Sequence, residues 1–184
     1  MEQTEIRKNL WRIAGSEGLK LGIVSATYMF ATLLLEKTGM PAFVNSLLTF
    51  VLWGAKFAAC IWLMRNAMIK FAGLDNSITN RETFRLGMAT ALLSSFVFSM
   101  ISFVNVAFIS ADLFTEQIDA MMQQMAPMMD SNSLSMVDSY LENLPTITFI
   151  SNLVYCFIFG TILSAILSRN IPSVDPFADY KSQE

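Results

Sequence analysis

Four stretches of this chain are apolar over the length a bilayer demands, roughly 20 residues at 1.5 Å each. They run over about 18–35, 41–64, 86–111 and 145–167. In hydrocarbon every backbone N–H and C=O must be satisfied inside the protein, and runs of this length can do so only as helices. The chain is therefore expected to be all-α, a single integral membrane domain over 1–184 folded as a four-transmembrane-helix bundle. With 54% hydrophobic and 15% charged residues it has too little polar surface for a soluble domain of its size. The first stretch is the shortest, lying between Lys20 and Glu36, but Lys20 can snorkel and let the helix start earlier. A cleavable signal peptide is the competing reading of that stretch. Trp11, Glu5 and Glu17 in the leader, and the lack of a small-x-small site after the run, speak against it.

Basic residues set the orientation. Arg7, Lys8, Arg12 and Lys20 precede the first span; Arg65, Lys70, Arg81 and Arg85 lie between the second and third; Arg169 and Lys181 follow the fourth. The other side carries Lys37 and the segment 112–144, which holds Asp112, Glu116, Asp119, Asp130, Asp138 and Glu142 with no Lys or Arg. Both termini are expected in the cytoplasm.

Residues 4–16 place Ile6, Leu10, Ile13 and Ala14 on one helical face with Trp11 at headgroup depth, the pattern of an interfacial N-terminal helix or of a solvated helical extension. Thr79 followed by Glu82 predicts a capping box opening the third span, after a turn at Gly73, Leu74, Asp75 and Asn76. Segment 112–144 is too long for a plain loop and carries two helical stripes: Phe114, Ile118, Met121, Met122 and Met125, then Leu134, Val137, Leu141 and Leu144. A helical hairpin on the outer, periplasmic surface is expected there. The cytoplasmic tail, 168–184, reads as irregular around Pro172 and Pro176.

Packing in lipid depends on close backbone approach, so small residues at four-residue spacing mark seams. Gly18, Gly22 and Ala26 form one on the first span. Asn152, Cys156, Gly160, Ser164 and Ser168 form another on the fourth. Span three adds Ser94, Ser95, Ser99, Ser102 and Asn105, whose hydroxyls can bond back to their own helix.

Lys56 stands well inside the second span, nine residues from Arg65 and so about 13 Å deeper along the axis. Insertion tolerates it: each Leu, Ile, Phe or Val between Phe43 and Leu63 contributes up to roughly −0.3 to −0.6 kcal/mol, against a lysine cost of about +2.5 to +3.5. Snorkelling toward the cytoplasm is one account. Against it, side chains lean toward the helix N-terminus, which here points outward. The other account turns Lys56 into the bundle, where matched depth brings Ser25, Tyr28, Ser94, Ser95, Gly160 and Thr161 near it. No span contains a carboxylate. An interior amine without a counter-charge must lose its proton, gather hydroxyls and water, or accept an anion, and in a membrane the natural anion is a phosphate headgroup. The candidate ligand-binding set for an anionic lipid or lipid-linked phosphate is Lys56, Tyr28, Ser94, Ser95 and Thr161.

Met121, Met122, Met125, Met128 and Met129 crowd the outer segment. Thioethers suit Cu(I), with Met121, Met125 and Met128 as the metal candidates. Methionine is also the adaptable apolar residue of binding surfaces, and no His or Cys stands by to complete a site. Packing or partner binding is the preferred reading, and no cofactor is expected.

The run RNAMIKFAGLDNSITNRETFRLGMATALLSS, with Phe84-Arg85-Leu86-Gly87 opening a span, resembles the centre of the bacterial domain of unknown function 4199 family. DLFTEQIDAMMQQMAPMMD is similar to that family's outer helical segment, and GLKLGIVSAT to its Gly-rich first span. The resemblance implies a small four-pass protein of the bacterial inner (cytoplasmic) membrane, without an assigned activity or catalytic residues. It also implies, as a partner, a glycosyltransferase that uses lipid-phosphate sugars.

The absence of His, of a Ser/His/Asp set, of an intramembrane carboxylate pair and of HExxH or GxSxG argues against an enzyme. A proton-coupled carrier usually needs an embedded acid, and no inverted repeat is evident, so transport or flipping by this chain alone is a minor reading that gains if it forms a homo-oligomer. Nucleic-acid binding is not suggested at a net charge of −3. The expected function is a non-enzymatic accessory or scaffold subunit of a membrane complex, in contact with the lipid bilayer and a membrane or peripheral protein partner. The alternative is binding or translocation of an anionic lipid or lipid-linked phosphate through Lys56.

Overall fold

The computed structural model describes residues 3–75, 77–125 and 131–171, and all regular structure among them is helical. The helices are α1 (Gln3–Lys37), α2 (Ala42–Ala72), α3 (Asn80–Val104), α4 (Ala111–Met125), α5 (Ser131–Glu142) and α6 (Leu144–Leu167). A π-helical turn, Asn105–Ile109, continues α3, and a short 3-10 turn, Ser168–Asn170, ends α6. Four of these helices, α1, α2, α3 with its π turn, and α6, are long and apolar enough to cross a membrane. The chain has the architecture of a multi-pass membrane protein.

Local chemistry fixes the boundaries. The reversal between α1 and α2 uses Gly39 at φ +63°, a conformation that a Cβ disfavours. Pro41 then precedes α2. At the start of α3 the capping box forms as its spacing predicts: Thr79 N donates to Glu82 Oε2 at 2.9 Å, and Glu82 N donates to Thr79 Oγ1 at 3.4 Å. At the other end of the same connection Gly73 N donates to Ile69 O at 3.0 Å and closes α2.

The 35 residues of α1 extend over about 52 Å, well beyond the ~30 Å of hydrocarbon. Residues 4–16, expected as an interfacial or solvated leader, are the first turns of that same helix. No breaker separates them from the span, and the stripe Ile6, Leu10, Ile13/Ala14 runs on into Leu21 in register. Its apolar face is covered by protein: Ile6 and Ala14 are buried in the core with Met64, Met68, Phe71, Ile78 and Leu86, and Leu10 and Ile13 pack against it.

The centre of the bundle is α3, held between α1 and α6, with α2 leaning on α1. The predicted seams lie at these contacts. A Cβ on Gly18 would stand 2.9 Å from Leu93 Cβ, one on Gly22 would stand 2.7 Å from Val97 Cγ1, and Ala26 is buried. A Cβ on Gly160 would come within 2.6 Å of Ala91 Cβ, and one on Gly87 would collide with Ser164 and Met68. Hydrogen bonds pin the α3–α6 pair at both ends: Ser164 Oγ donates to Phe84 O at 3.1 Å and Asn152 Nδ2 to Ser102 Oγ at 2.9 Å.

By contrast α2 is buried only over its last turns, at Met64, Ala67, Met68 and Phe71. Its first half leaves Phe43, Leu47, Phe50 and Val51 exposed. Beside the buried turns Glu17, 7% exposed, pairs with Lys20 at 2.9 Å and Lys70 at 3.6 Å. Asn80 Nδ2 donates to Arg169 O at 3.0 Å, fastening the end of α6 to the start of α3.

Candidate functional site

Lys56 sits where α2 parts from the bundle. Small neighbours on its helix, Gly54, Ala55, Ala58 and Ala59, leave room around the stem. The side chain brings Nζ 4.9 Å from the centroid of the Tyr28 ring on α1 and 5.5 Å from that of Phe98 on α3. Both rings present the electron-rich face that attracts a cation. Lys56 is half-buried, and among the described residues no carboxylate pairs with it. The amine therefore faces the bundle interior.

Beside it lies a cavity of about 130 Å³. Ser25 from α1, Ser94 and Ala91 from α3, Cys60 from α2, and Cys156 and Gly160 from α6 line its inner wall. Both cysteines are free thiols. The outer rim is aromatic. Trp53 and Phe57 on α2 face Tyr155 and Phe159 on α6, and the two helices meet chiefly where the Phe57 and Phe159 rings lie 5.5 Å apart. On either side of that contact the rings stack along their own helices, Trp53 on Phe57 at 5.6 Å and Tyr155 on Phe159 at 6.4 Å. Tyr155 and Trp53 are largely exposed. The cavity thus opens sideways, through a ring-lined gap, toward the surface that lipid would cover.

Of the candidate ligand-binding set, Lys56 and Ser94 line the cavity, Tyr28 meets the Lys56 amine without lining the cavity, and two residues do neither. Ser95 is turned into the α3–α6 interface, where its hydroxyl donates to Leu92 O at 2.9 Å. The Thr161 hydroxyl is buried away from the cavity with no partner. Matched depth is a one-dimensional argument, and successive helical residues differ by about 100° in direction, so Ser94 and Ser95 cannot both face one point. The same rotation moves Cys156 off the packing seam and onto the cavity wall, while Gly160 borders both and Ser164 stays in the seam. Phe98, the second ring over the amine, is an apolar residue in an apolar run, and nothing in its sequence context distinguishes it from a lipid-facing neighbour.

A second depression, about 570 Å³, lies at the basic end between the first turns of α1 and α3. Arg7, Arg85, Glu82 and Trp11 line it, over a floor that includes Leu10 and Phe157. Of the thioethers weighed as copper ligands, Met121 is exposed on α4. The side chain of Met125, and Met128 altogether, lie outside the described residues.

Over residues 17–169 the chain matches the model of a family described as "Protein of unknown function (DUF4199)". No curated protein and no solved structure matches it.

Proposed function

The chain belongs to the DUF4199 family, and from that premise, which brings no activity with it, we propose that it is a non-enzymatic membrane subunit holding a lipid-linked phosphate at Lys56. The observation that carries the reading is the direction of the Lys56 amine: inward, under two ring faces, with no carboxylate beside it. A buried cation normally has an anion or a hydrogen-bond shell, and an isolated one is costly. The Ser25 and Ser94 hydroxyls can complete the shell around a phosphate oxygen. The cavity has room for a phosphate group and none for an acyl chain, so the chain of such a lipid would leave through the gap between α2 and α6.

The test is lipid mass spectrometry on the full-length protein purified in mild detergent. The parent protein should carry a stoichiometric phosphate-bearing lipid, and Lys56→Met should lose most of it while keeping the parent's thermal midpoint within a few degrees. An unchanged bound-lipid profile in Lys56→Met would defeat the reading.

The accessory role rests on the basic end, where Arg7, Arg85 and Trp11 border an open depression suited to a peripheral protein, a lipid-phosphate glycosyltransferase being the partner the resemblance implies. The charge distribution supports a reading with that end in the cytoplasm of a bacterial inner membrane and with α4 and α5 on the periplasmic side. A reporter enzyme inserted at Met129 should be active only outside the cytoplasm. Activity in the cytosol would reverse the topology.

A further inference from the structure

At the end away from the basic residues a groove of about 590 Å³ runs between α1, α3 and α6 beneath α4 and α5, within the roughly 300–1,000 Å³ range of small-molecule sites. Its walls are the apolar stripes of the two amphipathic helices, Phe114 and Ile118 on α4 and Leu141 on α5, facing Met29 on α1 and Phe98 on α3. No charged side chain among the described residues lines it. An anion or a cation therefore has no partner there.

Thr32, Ser102, Tyr140, Thr148 and Asn152 also line the groove, and among its polar residues Asn105 is the first residue of the π-helical turn. It is 2% exposed, and among the described residues its side chain makes one hydrogen bond, accepting the Ser110 hydroxyl at Oδ1 over 3.0 Å. Nδ2 is left without a partner on a residue that lines the groove. An open amide donor of this kind can give its hydrogen bond to an acceptor that enters the groove. Asn105 keeps the α-helical backbone of α3, φ −61° and ψ −50°, which sets it on the groove face in register with Phe98 and Ser102, and the π turn follows it; such turns recur at functional sites.

Depth names the acceptor. Asn105 lies nineteen residues from Leu86, about 28 Å along α3, which is close to the full ~30 Å of hydrocarbon. At that boundary the bilayer offers ester carbonyls, which accept and never donate. Below it Phe98 and Met29 line an apolar track toward the middle of the span.

We infer that the groove beneath α4 and α5 binds an uncharged ester-linked glycerolipid, one ester carbonyl accepting from Asn105 Nδ2 and the acyl chain lying along Phe98 and Met29. This site shares the Phe98 ring with the phosphate site but takes a different ligand: that ligand needs no charge and Lys56 does not line the groove.

The experiment compares dioleoylglycerol with its dialkyl ether analogue, which has the same chains and hydroxyl but no carbonyl, on the full-length protein by native mass spectrometry. Neither probe carries a phosphate, so the outcome does not depend on Lys56. The parent protein should retain the ester about fivefold better than the ether, the size of one neutral hydrogen bond. Asn105→Leu should erase the preference, and Ile118→Trp, which fills the groove from α4 without touching the bundle seams, should reduce retention of both. Equal retention of ester and ether by the parent, a preference that survives Asn105→Leu, or undiminished binding in Ile118→Trp would overturn the inference. Should Asn105→Leu fail to fold, the parent comparison and Ile118→Trp decide it.

Discussion

The two halves of α2 share a helix and a composition but not an environment. From Met64 to Phe71 the helix is locked into the core with Leu86 and Ile78, and its neighbour Lys70 reaches the buried Glu17. From Phe43 to Phe57 it presents rings and aliphatic side chains to the outside and touches α6 through little more than one pair of phenyl groups, Phe57 and Phe159. Hydrophobicity alone does not explain this, because Phe43, Phe50 and Phe71 are the same residue. The difference is whether a small-residue seam stands opposite. Gly87 lets Met68 approach the α3 backbone, and no comparable gap faces Phe50. The closed half supplies stability, and the open half supplies access to Lys56.

The largest expected effect that separates the halves is at Phe71, which is fully buried. Phe71→Ala should cost about 3–5 kcal/mol, the range for large core truncations, read as a fall in the unfolding midpoint of the full-length protein in mild detergent. A loss under about 1 kcal/mol would mean that the basic end is not the packed core described above. The smallest effect is at Phe50, whose ring is 67% exposed. Phe50→Ala should stay within about 0.5 kcal/mol. A loss comparable to that of Phe71→Ala would show that a second chain or a partner covers the open half, and so would sharpen the contrast into an interface.

Much of this architecture is legible in the residues. The four spans follow from run length, the α3 cap from Thr79 and Glu82, and the two seams from Gly18, Gly22, Gly160 and Ser164, because each rests on local spacing that a helix converts directly into position. The stripes Phe114, Ile118, Met121 and Met122, and Val137, Leu141 and Leu144, likewise face one groove. The site is only half legible. Lys56 identifies itself as a charge in an apolar run, and Tyr28 and Ser94 lie at the right depth, but Phe98, Trp53 and Tyr155 carry no mark of their own. Ser95 and Thr161 share the depth of the site without sharing its face. Asn105 is unremarkable as a letter; that its face of α3 borders a groove depends on how α3 meets α4, α5 and α6.

By itself the sequence determined that the chain makes four long apolar helices, that one of them carries a lysine without a carboxylate at its level, and that charge divides one end from the other. These properties are sums and periods along a chain, and hydrocarbon enforces them segment by segment. Only the tertiary structure decided that α2 splays, that the Lys56 amine lies near the rings of both Tyr28 and Phe98, and that Asn105, its Oδ1 bonded to Ser110, borders a largely apolar groove. Rotation and tilt come from the contacts each helix finds with the others, and a one-dimensional pattern does not contain them.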